Sequence, residues 1–224
     1  VVLRMSRLDR QRFVQMVGDF GINGPDIHAS WGWCLGPWEV SVGEMVSAYT
    51  AFANHGIRTS PMFVSRIEDN EGNTLATFQP RMNEVIGAEN AMKMLTMLMG
   101  VVDGGTAGRL RYRYNLEGQI GAKTGTTNNN SDGWFIGFTP QLVSGCWVGG
   151  EERDIHFDSM SMGQGATMAL PIWAIFMKKV YADPTLGIRP DVKFDLPDGY
   201  DPCSKPKSDQ DDFEQVDGID EVFE

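Results

Sequence analysis

What this sequence has little of narrows the field first. Only three histidines (His28, His55, His156) and three cysteines (Cys34, Cys146, Cys203) occur in 224 residues. The histidines are scattered, and neither H-E-x-x-H nor C-x-x-C spacing occurs, so no metal site is expected. Gly163-x-Gly165 is followed by Met168 rather than glycine, so the dinucleotide fingerprint fails and no cofactor is expected. Three cysteines are too few for a disulfide scaffold. Unpaired thiols with Cys146 buried in a strand are the favoured arrangement, and one Cys34–Cys203 bridge in an oxidising compartment is the alternative. No run approaches the roughly 18 apolar residues of a membrane span, and no signal-peptide pattern is present. Positive charge is also short. Against 30 Asp and Glu stand 19 Lys and Arg, a net charge of -11, which disfavours a general nucleic-acid binder. A starting methionine is missing too: Val1-Val2-Leu3 opens the chain, as expected of a processed product or a fragment.

The acid is concentrated at one end. Residues 182–224 carry 13 acids and 4 bases, and residues 1–181 are nearly neutral. Residues 1–181 therefore read as a folded body, with 42% hydrophobic residues in the whole chain to build a core, and residues 182–224 as an acidic, flexible tail.

Periodicity places the elements. Residues 6–20 read as a helix with Leu8, Met16 and Val17 on one face, closed by Gly18 and Gly21. A loop over 22–38 brings Trp31, Trp33 and Trp38 close in sequence, as loop anchors against the core or, alternatively, as a stacking wall. Ser41-Val42-Gly43-Glu44 has the form of a capping box. The helix after it carries Val42, Met45, Val46, Tyr49, Phe52 and Ala53, with Gly56 placed to end it. Residues 62–68 and 74–78 alternate as strands around a turn at 69–72. Residues 89–102 form a helix whose buried stripe is Met92, Leu95, Leu98, Met99 and Val102. Strands are expected at 118–124, 133–138 and 142–148, with a turn at Thr139-Pro140-Gln141, and a last helix at 166–181. Pro171 falls in the first turns of that helix, where proline is tolerated.

The segment with chemistry in it is Lys123-Thr124-Gly125-Thr126-Thr127, at the end of a strand. A strand-borne lysine fixes an ammonium at a cleft edge, where it can neutralise a carboxylate. The hydroxyls of Thr124 and Thr126 can donate to that carboxylate. Gly125 lets a ligand lie against the strand and pair with its backbone. A backbone N–H after the glycine can serve half of an oxyanion hole. K-T-G is the element of active-site serine acyl-transfer enzymes. Alone it is weak, arising by chance in roughly one chain in twenty at average residue usage.

Its context is stronger. Gly121-Ala122-Lys123-Thr124-Gly125-Thr126-Thr127-Asn128, Asp132-Gly133-Trp134-Phe135-Ile136-Gly137-Phe138-Thr139-Pro140 and Trp147-Val148-Gly149 together resemble the class A penicillin-binding proteins, the bifunctional cell-wall synthases. The likeness extends to Glu39-Val40-Ser41, Phe52-Ala53-Asn54-His55-Gly56, Val101-Val102-Asp103-Gly104-Gly105-Thr106-Ala107 and Ala169-Leu170-Pro171-Ile172-Trp173, and covers residues 1–181.

The resemblance implies an α+β fold like that of the penicillin-binding proteins and serine β-lactamases: a five-stranded antiparallel sheet flanked by helices, here without its N-terminal part. It implies a D,D-transpeptidase that cross-links peptidoglycan stem peptides through D-Ala-D-Ala and is trapped by β-lactams. It places the parent protein on the extracytoplasmic side of the cytoplasmic membrane, held by an N-terminal anchor. By resemblance Lys123 orients substrate, Thr124 and Thr126 bind its carboxylate, and the Thr126 N–H joins the oxyanion hole. Gly125 permits close approach, and Thr127 completes the binding segment. Asp132, Trp134 and Phe135 read as strand-start and packing residues. Gly163 and Gly165 lie near the family's site, or form a plain helix-entry turn.

The sequence departs from the family at the nucleophile. Its S-x-x-K occurs only as Ser204-Lys205-Pro206-Lys207, in the acidic tail and with a proline, and S-x-N is absent. Without the serine and its lysine there is no activated nucleophile, so this chain alone is expected to be inactive. Two alternatives remain: a β-lactamase or D,D-carboxypeptidase of the same fold, and a non-catalytic peptide-binding module.

Overall fold

A computed structural model describes residues 10–23 and 38–203. The start of the first helix with Leu8, the loop tryptophans Trp31 and Trp33, His28, Cys34 and the Ser204–Lys207 segment lie outside these residues. Helix α1 spans Arg10–Asp19. Helix α2, Val42–Ala53, begins at the expected capping box, with Ser41 Oγ accepting from the Glu44 N–H at 3.2 Å and Glu44 Oε2 accepting from the Ser41 N–H at 2.8 Å. It ends with the Gly56 N–H donating to the Ala51 carbonyl at 2.7 Å. His55 and Gly56 both take positive φ there, 49° and 92°, so the left-handed cap is shared by two residues. Phe20, just past α1, meets Phe52 of α2 with ring centroids 5.5 Å apart.

Two small antiparallel pairs follow. Strand β1 (Ile57–Thr59) pairs with β4 (Met82–Glu84), and β2 (Arg66–Glu68) pairs with β3 (Thr74–Thr77). The expected strand at 62–68 is thus shorter. Its first half lies after Pro61 and outside the ladder, with Phe63 96% exposed. The turn between β2 and β3 is held by the Asp69 carboxylate, which accepts from the N–H groups of Glu71 and Asn73.

Helix α3 (Ala88–Asp103) buries Ala91, Leu95, Leu98 and Val102. A short helix α4 (Arg109–Tyr112) leads into the main sheet, whose strands are β5 (Gly121–Thr126), β6 (Asp132–Phe138) and β7 (Val143–Gly149) in that order. Thr139 turns β6 into β7: its hydroxyl oxygen accepts from the N–H groups of Gln141 and Leu142. Helix α5 (Met160–Gly163) and the long helix α6 (Gly165–Ala182) complete the body.

The period of two divides the sheet. On one face Ala122, Phe135 and Cys146 meet α6, where Leu170, Trp173 and Met177 are buried. Trp173 packs on Phe135 with ring centroids 5.2 Å apart and donates its indole N–H to Ser144 Oγ at 2.7 Å. Gly137 makes room for that indole, since a Cβ there would strike the Trp173 ring. On the other face α2 and α3 cover Ile136 and Phe138, and Phe138 joins Leu95, Leu98 and Phe194 in a second core. Cys146 is only half buried rather than buried, because β7 is the sheet's edge strand among the described residues. Among the described residues the main sheet has three strands where five were expected, and no other described segment pairs with β5 or β7.

The boundary expected at residue 182 is one of charge, not of packing. Phe194 is 7% exposed, and its N–H donates to Gln119 Oε1 at 2.7 Å. Gln141 clamps the same stretch, donating to the Gly187 carbonyl and accepting from the Arg189 N–H. Phe194 is joined by Leu196 at the second core, and Ile188 packs on the first, so apolar residues and two glutamines hold an acidic segment to the body.

Candidate active site

Strand β5 carries the candidate site residues Lys123, Thr124, Gly125 and Thr126, and its hydrogen-bond register fixes which way each faces. Just beyond the strand, the Thr127 N–H donates to the Asp132 carbonyl at 3.2 Å, closing the end of the β5–β6 ladder. Backbone groups of an antiparallel strand alternate in direction. Those of Gly125 and Lys123 therefore point to β6, and those of Thr124 and Thr126 point to the open edge. No described strand pairs with that edge. It offers the N–H and C=O of two threonines to an extended ligand.

Side chains alternate as well. Thr124 and Thr126 lie on the α6 face, opposite Phe135 and Gly133, and Lys123 lies on the other face, opposite Ile136. The ammonium of Lys123 nevertheless returns to the edge, where it donates to the Thr124 carbonyl at 2.6 Å. Lys123 is exposed. The structure thus gathers Lys123, Thr124 and Thr126 along one open strand edge, with the hydroxyls on one side and the cation curling over from the other.

Each hydroxyl has a fixed partner. Thr126 Oγ1 accepts from the N–H of Gly165, the first residue of α6, at 3.1 Å, which leaves its own proton available to a ligand. Thr124 Oγ1 lies 2.9 Å from Thr106 Oγ1. Thr127 is different: its hydroxyl is engaged within the turn, with Ser131 Oγ at 2.9 Å and Asp132 Oδ2 at 3.0 Å. Gly125 packs its α-carbon against Trp134, where a Cβ would come 3.0 Å from the Trp134 Cβ.

Asp132 does more than start β6. Its carboxylate accepts from the Trp147 indole N–H at 2.9 Å and from the Thr127 and Ser131 hydroxyls. It therefore ties the end of β5 to β7. Phe135 is fully buried and Trp134 is half buried on the opposite face. Gly165 lies directly against the sheet, since a Cβ there would strike the Gly125 and Trp134 carbonyl oxygens. Gly163 packs on Asn130 and Phe157. Both glycines are helix-entry residues, and Gly165 also touches the candidate site. Sequence reasoning missed Thr106 and Trp147 as members of this cluster. Both fall inside segments that carry the family likeness, but nothing in the order of residues says that they meet Thr124 and Asp132.

The family model of the penicillin-binding protein transpeptidase domain matches residues 6–145, which include the whole of β5. The chain belongs to the penicillin-binding protein transpeptidase family. Curated relatives set it among the class A proteins. Penicillin-binding protein 1A of Aquifex aeolicus is 36% identical over 163 residues, 73% of this chain and 21% of that protein. Its namesake from Neisseria lactamica is 34% identical over 195 residues, 83% of this chain and 23% of that protein. The chain thus spans about a fifth of the length of these relatives.

Solved structures agree on the transpeptidase fold. Penicillin-binding protein 1A of Haemophilus influenzae matches 88% of this chain and 34% of its own, with a TM-score of 0.74 at 24% identity. PonA1 of Mycobacterium tuberculosis, solved in complex with penicillin V, matches 68% of this chain and 41% of its own, with a TM-score of 0.57 at 26% identity. The fold is α+β with antiparallel sheets, as the sequence implied. No described helix is long and apolar enough to cross a membrane.

Proposed function

We propose that this chain supplies the carboxylate-binding and oxyanion strand of a peptidoglycan D,D-transpeptidase. The serine nucleophile stands outside this chain, in a longer protein of the class A kind. The single observation that carries the reading is the open edge of β5, where the backbone of Thr124 and Thr126 faces outward beside the Lys123 ammonium.

An extended stem peptide ending in D-Ala-D-Ala pairs with that edge as an added strand. Its terminal carboxylate accepts hydrogen bonds from the hydroxyls of Thr124 and Thr126, with Lys123 balancing the charge. Gly125 keeps the approach open. The Thr126 N–H donates to the carbonyl oxygen as negative charge develops there. The serine oxygen bonds to the carbonyl carbon, the amide C–N bond breaks, and D-alanine leaves with the proton on its amine. The amine of a neighbouring stem then displaces the serine, giving the cross-link. β-Lactams mimic the dipeptide and stop at the acyl-enzyme. Thr127 contributes by holding the turn, through Ser131 and Asp132. Residues 1–181 are the C-terminal part of the transpeptidase domain, followed by an acidic extension. The parent protein works on the extracytoplasmic face of the cytoplasmic membrane, anchored by a segment before Val1.

Labelling with a fluorescent penicillin tests this. The chain alone is expected not to label, and the longer protein is expected to label at the serine of an upstream S-x-x-K. Labelling of the chain alone would show that the nucleophile is misplaced. No labelling of the longer protein would overturn the reading.

A further inference from the structure

The loop that ends α3 brings another hydroxyl to the open edge of β5. Thr106 Oγ1 lies 2.9 Å from Thr124 Oγ1, across 18 residues of sequence. Thr106 is exposed and Thr124 half buried, so a ligand at the edge can reach both. The position of Thr106 is set from either side. Gly105 approaches Val101 so closely that a Cβ would come 2.8 Å from the Val101 Cα. Ala107 is fully buried, and its N–H donates to the Val101 carbonyl at 3.0 Å. Asp103, at the loop's start, is paired with Arg111 at 2.8 Å. A loop held at each of these points presents Thr106 in one place.

A hydroxyl has one proton and two lone pairs. When two hydroxyls face each other, their mutual bond uses one proton and leaves the other. With Thr106 as donor, the Thr124 oxygen is occupied on the loop side and its own proton is left for a ligand. Without Thr106, that proton samples every staggered position, including those that face the protein. We infer that Thr106 is a positioning residue that aims the Thr124 hydroxyl at an anionic carboxylate, and so contributes to selecting ligands that carry one. This rests on the reading of β5 as the carboxylate-binding strand. It assigns Thr106 no contact with the reacting bond.

The full-length protein carrying this segment tests the inference, by acylation with a penicillin bearing its free carboxylate and with the methyl ester of the same penicillin. Thr106→Val is expected to lower the free-acid rate about threefold, the loss when only one of three staggered hydroxyl positions serves the carboxylate, and to leave the ester rate unchanged. Thr106→Ser is expected to restore the free-acid rate. Thr106→Val combined with Thr124→Val is expected to be no slower than Thr124→Val alone, since the two act as a unit. Thr106→Ala serves as a second variant should the valine disturb the loop, with melting temperature checked for each. If Thr124→Val erases the preference for the free acid and neither Thr106→Val nor Thr106→Ala changes it, the inference falls and the reading of β5 stands. If Thr124→Val leaves that preference unchanged, the reading of Thr124 falls, and the inference with it. Equal losses on acid and ester, with a lowered melting temperature, would make Thr106 merely structural and overturn the inference.

Discussion

The N–H of Gly165 donates to the hydroxyl oxygen of Thr126 at 3.1 Å, tying the first residue of α6 to the last residue of β5. The bond joins the main hydrophobic core to the open strand edge. Helix α6 is fixed by Trp173 and Met177 beneath the sheet, and its first turn in turn fixes the Thr126 side chain. Gly165→Ala puts a methyl group onto the Gly125 and Trp134 carbonyl oxygens, and backbone atoms cannot step aside as side chains do. The helix must shift, at a cost of about 1–3 kcal/mol. We expect a lower melting temperature together with slower acylation of the full-length protein by penicillin.

Thr126 separates two roles of one hydroxyl. Its oxygen accepts from Gly165, and its proton is left for the carboxylate of the proposed substrate. Thr126→Val removes both, and Thr126→Ser keeps both. The valine variant is expected to acylate at least about tenfold more slowly, from the roughly 1.5–3 kcal/mol of a hydrogen bond to a charged partner. The serine variant is expected to stay within about threefold of the parent. Stopped-flow acylation rates at saturating and limiting penicillin distinguish binding from chemistry.

The capping box of α2 gives a pH dependence. The Ser41 N–H, then its hydroxyl, hold the Glu44 carboxyl below its ordinary value of 4.5. A depressed folded value means stability that is present above the ordinary carboxylate range and lost as pH falls through the lowered value. Glu44 lies at the surface, so the contribution is small, about 0.3–1 kcal/mol for an acid at a helix start. Thermal melts of Glu44→Gln are expected to fall about 1–3 °C below the parent at neutral pH. The gap should close as the pH falls below the ordinary carboxylate range and through the lowered value, where the parent's carboxylate also takes up its proton.

Local features were legible in the sequence, and long-range contacts were not. S-V-G-E set the start of α2 to the residue, because a capping box is written in four neighbouring positions. Of the stripe Met92, Leu95, Leu98, Met99 and Val102, the leucines and the valine are buried as the spacing required, and the two methionines are half buried. Thr139 made its turn where Thr-Pro-Gln implied one. The β1–β4 pair was missed, because three-residue strands carry too few alternations to read. The docking of Phe194 was missed because the charge of its neighbours outweighed one apolar residue.

The candidate site was legible as residues and not as geometry. K-T-G-T named Lys123, Thr124, Gly125 and Thr126, but treating them as one convergent cluster ignored the period of the strand. Lys123 departs to the opposite face and returns through its long side chain. Thr127 reads like its neighbours in sequence, yet the turn takes its hydroxyl. The contacts Thr106–Thr124 and Asp132–Trp147 depend on how loops close over the sheet, which no local pattern encodes.

The most direct test of the central claim is the acylation rate of the full-length protein by a fluorescent penicillin, measured with Lys123 and with Lys123→Ala. Lys123 holds the only ammonium at the described edge of β5, and its removal leaves the bound carboxylate uncompensated. The expected result is a fall of about a hundredfold or more with the melting temperature unchanged, in the range lost when a charge-stabilising group is taken from an active site. An unchanged acylation rate would contradict the assignment of β5 as the substrate-binding strand.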